Sequence, residues 1–333
     1  MAALRAGVVG LGMMGRHHVR VLRELDGVDL VAVADPGGDP YGVSGELPVL
    51  ESVAALVQAG VDMAVVAAPT GLHEQVALEL AAAGVHTLIE KPLAADSPGA
   101  QRIADAFTAR GLIGCVGHIE RYNPALQELR RRLEGGDLGE VYQIITRRQG
   151  PFPARIADVG VVKDLATHDI DLTSWVAQSP FTSISARVTH RSGRQYEDLV
   201  AALGTLSSGA VTNHLVNWLT PFKERVTVVT GDRGAFVADT LSADLTFHAN
   251  GTVPTEWASV ASFRGVSEGN VTRFAYAKRE PLRLEHEAFR DAVLGVAVVG
   301  DASGIVSMVD GQRTVQVAEA MLRSAETGQT IAL

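Results

Sequence analysis

Short apolar runs alternate with Ala/Leu-rich stretches through the first third of the chain, the pattern of βαβ units on a parallel sheet. Residues 8–10, 30–34, 63–67, 86–89 and 113–116 read as strands, and 15–25, 51–58, 72–83 and 97–109 as helices. Most of these strand runs are continuously apolar rather than alternating, as expected where helices cover both faces of a sheet. Residues 36–46 carry four glycines and two prolines and read as a loop. After Gly117 the pattern changes. A helix at 123–135 is followed by strand runs at 142–148, 184–190, 200–206, 211–216, 226–230 and 235–238, with helices at 164–177, 283–294 and 303–327. Consecutive strands predict a largely antiparallel sheet. The fold class is therefore α/β: a Rossmann dinucleotide-binding domain over 1–119, then an α+β domain over 120–333 with a large open, mostly antiparallel sheet.

The 333 residues suit two domains of ordinary size, and 47% hydrophobic with 20% charged residues is a globular composition. A net charge of -9, with one short basic cluster at Arg130-Arg131-Arg132, leaves little footprint for nucleic acid or an anionic membrane. No apolar run reaches the ~18 residues that span a bilayer, and the start does not resemble a signal peptide. Cys115, the single cysteine, calls for no oxidising compartment. These features predict a cytoplasmic protein without nucleic-acid or membrane partners. A sheet face that the final helices do not cover predicts a homo-oligomer, dimer or tetramer.

Gly10-Leu11-Gly12-Met13-Met14-Gly15 fits G-x-G-x-x-G directly after a strand and at the opening of a helix. Gly10 makes the tight turn, Gly12 admits a pyrophosphate to the backbone, and Gly15 packs helix against strand. Asp35 ends the second strand 20 residues after Gly15, where a carboxylate accepts from the adenosine ribose hydroxyls. The alternative is a glycine turn beside a solvated aspartate. Asp35 repels a 2'-phosphate, and 36–41 contain no Arg or Lys, so the cofactor is expected to be NAD rather than NADP.

Glu90-Lys91-Pro92 follows a strand at the carboxyl edge of the sheet, where Lys91 could donate to a sugar hydroxyl or simply be a solvated loop lysine. Asp164 and His168, four residues apart, fall on one helix face and could orient a general base, or form a surface pair or cap. Together, Gly10-x-Gly12-x-x-Gly15-x-x-His18, Glu90-Lys91-Pro92 and Asp164-x-x-x-His168-Asp169-x-Asp171 resemble the Gfo/Idh/MocA oxidoreductase family over essentially the whole chain.

The resemblance implies a Rossmann domain followed by an open-sheet domain through which members associate. It also implies catalytic roles for Lys91, Asp164 and His168. Cofactor contacts are expected at Gly10, Gly12, Met13, Met14, Gly15, Asp35, Ala68, Pro69, Thr70, His73, Glu90 and Lys91, with His73 acting from behind the cofactor turn. His18 reads as a packing residue. The segments 117–124 and 148–161 are similar to the branch containing UDP-N-acetylglucosamine 3-dehydrogenases, whose relatives act on UDP-glucose or on aminoglycoside sugars in antibiotic biosynthesis. Two departures from the family pattern stand out: a Gly-Gly pair before the aspartate is absent, and Lys163 sits beside Asp164.

Arginines match phosphate geometry, so Arg121, Arg147, Arg148 and Arg155, near the expected cleft, could hold a nucleotide diphosphate or form ordinary ion pairs. Substrate contacts are expected from Lys91, Arg121, Tyr122, Arg148, Arg155, Asp164 and His168. The histidine and cysteine spacings predict no metal, and serine-hydrolase chemistry is not expected. The leading expectation is an NAD-dependent dehydrogenase oxidising a sugar hydroxyl, the 3-hydroxyl of a nucleotide-activated hexose such as UDP-GlcNAc or UDP-glucose. A dehydrogenase of an aminoglycoside or cyclitol hydroxyl and a non-catalytic NAD-binding sensor are the alternatives.

Overall fold

The computed structural model describes residues 3–153, 159–251, 268–296 and 304–333. The chain divides into two compact units. The first takes residues 1–119 together with Glu280–Glu319. Its strands are β1 (Leu4–Val9), β2 (Val28–Ala34), β3 (Val49–Leu50), β4 (Met63–Val66), β5 (His86–Glu90) and β6 (Gly114–Gly117). They form a six-stranded sheet ordered β3-β2-β1-β4-β5-β6, parallel throughout. The order runs outward from β1 in one direction and from β4 in the other, so β1 and β4 flank the switch point where such sheets bind ligands. Every residue of β4 is buried, which explains its unbroken apolar run. The helices are α1 (Gly15–Arg23), α2 (Val53–Gln58), α3 (His73–Ala82) and α4 (Ser97–Arg110). Asp96 caps α4 by accepting the Gly99 N–H at 2.7 Å.

The expectation that 120–333 form one unit does not hold for Glu280–Glu319. Phe289, on α7 (Pro281–Val293), is fully buried in the same apolar cluster as Val8, Val33, Met63 and Leu88. Further along, the Val116 N–H on edge strand β6 donates to the Val306 carbonyl at 2.9 Å. The late segment thus supplies apolar cover that the first 119 residues lack.

The second unit comprises Glu120–Arg279 and Ala320–Leu333. It holds α5 (Pro124–Glu134), β7 (Val141–Pro151), α6 (Thr167–Ala177), β8 (Phe181–Thr189), β9 (Leu199–Leu206), β10 (Val211–Asn217), β11 (Leu219–Gly231), β12 (Gly234–Asp239), β13 (Asp244–Asn250) and β14 (Glu268–Arg273). It closes with the end of α8 (Met308–Thr327) and β15 (Ile331–Ala332). The nine-stranded sheet runs β14-β13-β12-β11-β7-β10-β9-β8-β15. It is antiparallel except for the β7/β10 pair.

One sheet face, with Ile144, Val216, Val229, Phe236 and Leu245, is buried beneath α5 and α6. By register the opposite face carries Leu203, Val211 and Val271, all exposed. Among the described residues no helix is long and apolar enough to cross a membrane.

Candidate active site

At the end of β1 the glycine turn closes on itself. Gly10 has φ +91°, and a Cβ there would lie 2.7 Å from the Ala67 carbonyl carbon and oxygen, so backbone sign and space both demand glycine. A Cβ on Gly15 would sit 1.9 Å from the Gly10 carbonyl oxygen. Gly12 is different: a Cβ there meets nothing within 4 Å. The turn is packed at its first and third glycines and open at its second, as a pyrophosphate cradle requires. Met13 and Met14 lead into α1, whose N-terminus has no side-chain cap. Asp35 holds the turn in shape. Its Oδ2 accepts the Leu11 N–H at 2.7 Å and its Oδ1 the Gly37 N–H at 2.7 Å.

The loops after β4 and β5 are tied together. Ala68 and Pro69 precede a short 3-10 turn over Thr70–Leu72, and His73 then opens α3. The His73 ring is buried between two carbonyls, with Nε2 2.9 Å from Ala68 O and Nδ1 2.9 Å from Pro92 O. Burial lowers its pKa against the pull of those carbonyls, so at neutral pH the ring donates through one nitrogen. His73 therefore ties the loop after β4 to the loop after β5.

Lys91 is half-buried at the end of β5, and the Lys91-Pro92 peptide is cis. Its backbone N–H donates to Glu90 Oε2 at 3.0 Å, while Glu90 Oε1 lies 3.0 Å from His18 Nε2. Burial pushes the Glu90 carboxyl up, but the hydrogen bond and charge of His18 and the charge of Lys91 outweigh it and hold the group below its ordinary value. Glu90 was expected at the cofactor. The structure instead turns both its oxygens to His18 and the Lys91 amide, because a buried carboxylate needs donors. His18 is fully buried, consistent with a packing residue, yet both its nitrogens are engaged.

In the second unit, Asp164 lies in a π-helical turn over Val162–Ala166, with His168 in the first turn of α6. Asp164 is buried and His168 half-buried. The π turn replaces the regular start expected for a helix over 164–177; such turns are frequent at functional sites. Glu197 sets it: Oε1 accepts the Val162 N–H at 3.0 Å, and its carbonyl accepts the Val161 N–H at 3.0 Å. Nothing in the sequence singled out Glu197, because its role depends on the loop from β8 to β9 passing beneath the turn.

The arginines are committed elsewhere. Arg121 grips Asp171 with Nε and Nη2 at 2.8 and 2.7 Å. Arg148 reaches Asp169 at 2.9 Å and Glu120 at 2.8 Å. Both guanidinium groups are buried, so the ion-pair alternative describes them better than diphosphate binding. Arg147 pairs with Glu224 at 3.0 Å. Burial raises the Asp169 carboxyl in spite of Arg148. Tyr122 is buried, and Arg155 lies outside the described residues. Among the described residues no cluster of His, Cys, Asp and Glu is placed to hold a metal ion.

Comparison with known proteins agrees with this geometry. Residues 4–118 match the oxidoreductase family with an NAD-binding Rossmann fold, and 126–237 match the GFO/IDH/MocA C-terminal domain. The UDP-N-acetylglucosamine 3-dehydrogenase of Acidithiobacillus ferrooxidans is 32% identical over 298 residues, 88% of this chain and 90% of that protein. Inositol 2-dehydrogenase 1 of Saccharopolyspora erythraea is 31% identical over 98% of this chain and 96% of that protein. The solved structure of the Acidithiobacillus ferrooxidans enzyme GnnA superposes with a TM-score of 0.83 at 26% identity, covering 98% of this chain and 99% of that one. The open glycine cradle, the Lys91 loop and these matches together make the chain a member of the Gfo/Idh/MocA family of NAD-dependent oxidoreductases.

Proposed function

We propose that the protein oxidises a secondary hydroxyl of a sugar, the 3-hydroxyl of a nucleotide-activated hexose such as UDP-GlcNAc or UDP-glucose, to a 3-keto sugar. The observation that carries the reading is the 32% identity to a UDP-N-acetylglucosamine 3-dehydrogenase over 88% of this chain. The glycine turn and Asp35 would hold NAD, which when bound supplies the acceptor for hydride from the carbinol carbon. The chain's own residues handle the proton. Lys91 donates a hydrogen bond to the reacting oxygen, His168 takes the hydroxyl proton as general base, and Asp164 orients them. With Arg121 and Arg148 in ion pairs, recognition of the nucleotide falls to other groups.

A cyclitol hydroxyl is the second reading, favoured by the 31% identity to an inositol 2-dehydrogenase. Purified protein with NAD and, separately, UDP-GlcNAc, UDP-glucose, myo-inositol and an aminoglycoside, followed by reduced-nicotinamide absorbance under multiple and single turnover, distinguishes the two. Reduction with a UDP-sugar supports the proposal; reduction with inositol alone moves it to the second reading; none with any compound rejects both. Lys91→Ala is expected to abolish turnover, and His168→Ala to lower it ~10²–10⁴-fold, with NAD affinity retained in each. Near-normal turnover of the His168 variant would place the base elsewhere, with Tyr122 the next candidate.

A further inference from the structure

Four titratable side chains lie buried together in the first unit: His18 on α1, Glu90 at the end of β5, and Glu285 and His286 on α7. His18 Nδ1 is 2.8 Å from His286 Nε2, and the two rings meet edge-on with centroids 5.1 Å apart. Burying such groups costs stability unless hydrogen bonds compensate, and apolar residues of similar volume fill a core at less cost. Simple packing therefore does not account for the cluster.

The hydrogen bonds form a continuous chain. Glu90 is held ionised and accepts at both oxygens, from His18 Nε2 and from the Lys91 N–H. His18 Nδ1 and His286 Nε2 share one proton across 2.8 Å, the donor being set by the tautomers of the two rings. Burial and the neighbouring His18 keep His286 uncharged, and its Nδ1 ends the chain with no partner among the described residues. Glu285, beside it, is pushed well above its ordinary value by burial and by the Glu90 charge. Gly117, paired with Glu90 across the sheet, makes room: a Cβ there would stand 3.3 Å from the Glu90 carboxyl carbon.

We infer that His286 and His18 are positioning residues for Lys91: a hydrogen-bond chain from α7 through α1 clamps Glu90, whose second oxygen fixes the backbone amide of the lysine. The inference rests on the reading of Lys91 as the group that acts on the substrate hydroxyl. It gives the late helix α7 a part in a loop almost two hundred residues earlier in the chain.

The chain has only four lysines, Lys91, Lys163, Lys223 and Lys278, so ¹³Cε-lysine labelling yields a spectrum simple enough to follow, with the Lys91 signal assigned by its loss in K91R. His286→Leu removes the hydrogen-bond partner of His18 and keeps the apolar bulk, while His286→Gln places an amide, able to donate or accept, near the position of Nε2. In H286L the Lys91 signal is expected to shift or broaden while the other three stay. Turnover of UDP-GlcNAc should fall about 10- to 100-fold in kcat with KM little changed, the loss typical of a displaced reacting group, and H286Q should restore signal and turnover. The inference is overturned if H286L only lowers Tm and leaves the Lys91 signal in place, or if H286Q behaves like H286L. If H286L does not fold, H286N, whose amide stops short of His18, takes its place with the same two outcomes. The lysine signal is read without substrate, so failure of every sugar in the turnover assay would defeat the proposed substrate while the spectrum still decides this point.

Discussion

Asp35 shows how one side chain can serve shape and specificity together. Its oxygens accept from the amides of Leu11 and Gly37, and its negative charge stands where a 2'-phosphate would come. Like charges about 4 Å apart repel by ~1–4 kcal/mol, depending on solvent screening. NAD is therefore expected to bind at least about tenfold more tightly than NADP, measured as two dissociation constants, and equal affinities would remove Asp35 from the ribose. The fold adds a cation that the local sequence did not contain: Arg16 lies over the Tyr41 ring, 5.1 Å from its centroid. Asp35→Ser should accordingly narrow the gap by admitting NADP, not merely by weakening NAD. At this scale the glycines, Asp35 and His73 were legible because backbone geometry and chain order impose their roles. Glu90 was not, since its partners His18 and His286 come from two other helices.

Among the elements, the π turn that carries Asp164 depends on an unusual fit. A Cβ on Gly160 would fall 2.0 Å from Glu197 Oε1, the oxygen that accepts the Val162 N–H. Gly160→Ala must displace that carboxylate, at a cost of about 1–3 kcal/mol, and move Asp164 with it. Removing the obstacle should undo the clash, so G160A combined with E197A is expected to be no less stable than E197A alone. Strict additivity in urea denaturation would show that the contact does not hold the turn. The periodicity located the helices and most of the long strands to within about five residues, but β11, expected over 226–230, begins at Leu219. The same periodicity missed β3, β13, β14 and β15: β3 and β15 are only two residues long and leave no pattern to read, whereas β13 alternates Leu245, Phe247 and Ala249 with Thr246, His248 and Asn250, a strand pattern that the sequence reading passed over.

For the whole molecule, the exposed apolar residues on one face of the nine-stranded sheet predict self-association. Leu203 and Val211, on the neighbouring strands β9 and β10, are 55% and 46% exposed, and Val271 on β14 is 62% exposed, apolar side chains of the kind an interface covers. Light scattering at micromolar concentration is expected to give a multiple of 35.1 kDa, with Leu203→Glu shifting it toward the monomer; a clean wild-type monomer would reject the expectation. By itself the sequence determined the class of fold, the glycine turn, the cofactor and the family, because these follow from local periodicity and from short motifs whose geometry is dictated by the backbone. Only the tertiary structure decided that Glu280–Glu319 belong with the first unit, that Arg121 and Arg148 are occupied by carboxylates, and that His286 stands behind Lys91 through His18 and Glu90. Apart from the bond between the neighbours Glu90 and Lys91, the hydrogen bonds named here join residues 21 to 268 positions apart, and a hydrogen bond at that separation exists only once the packing of the core has brought its two ends together.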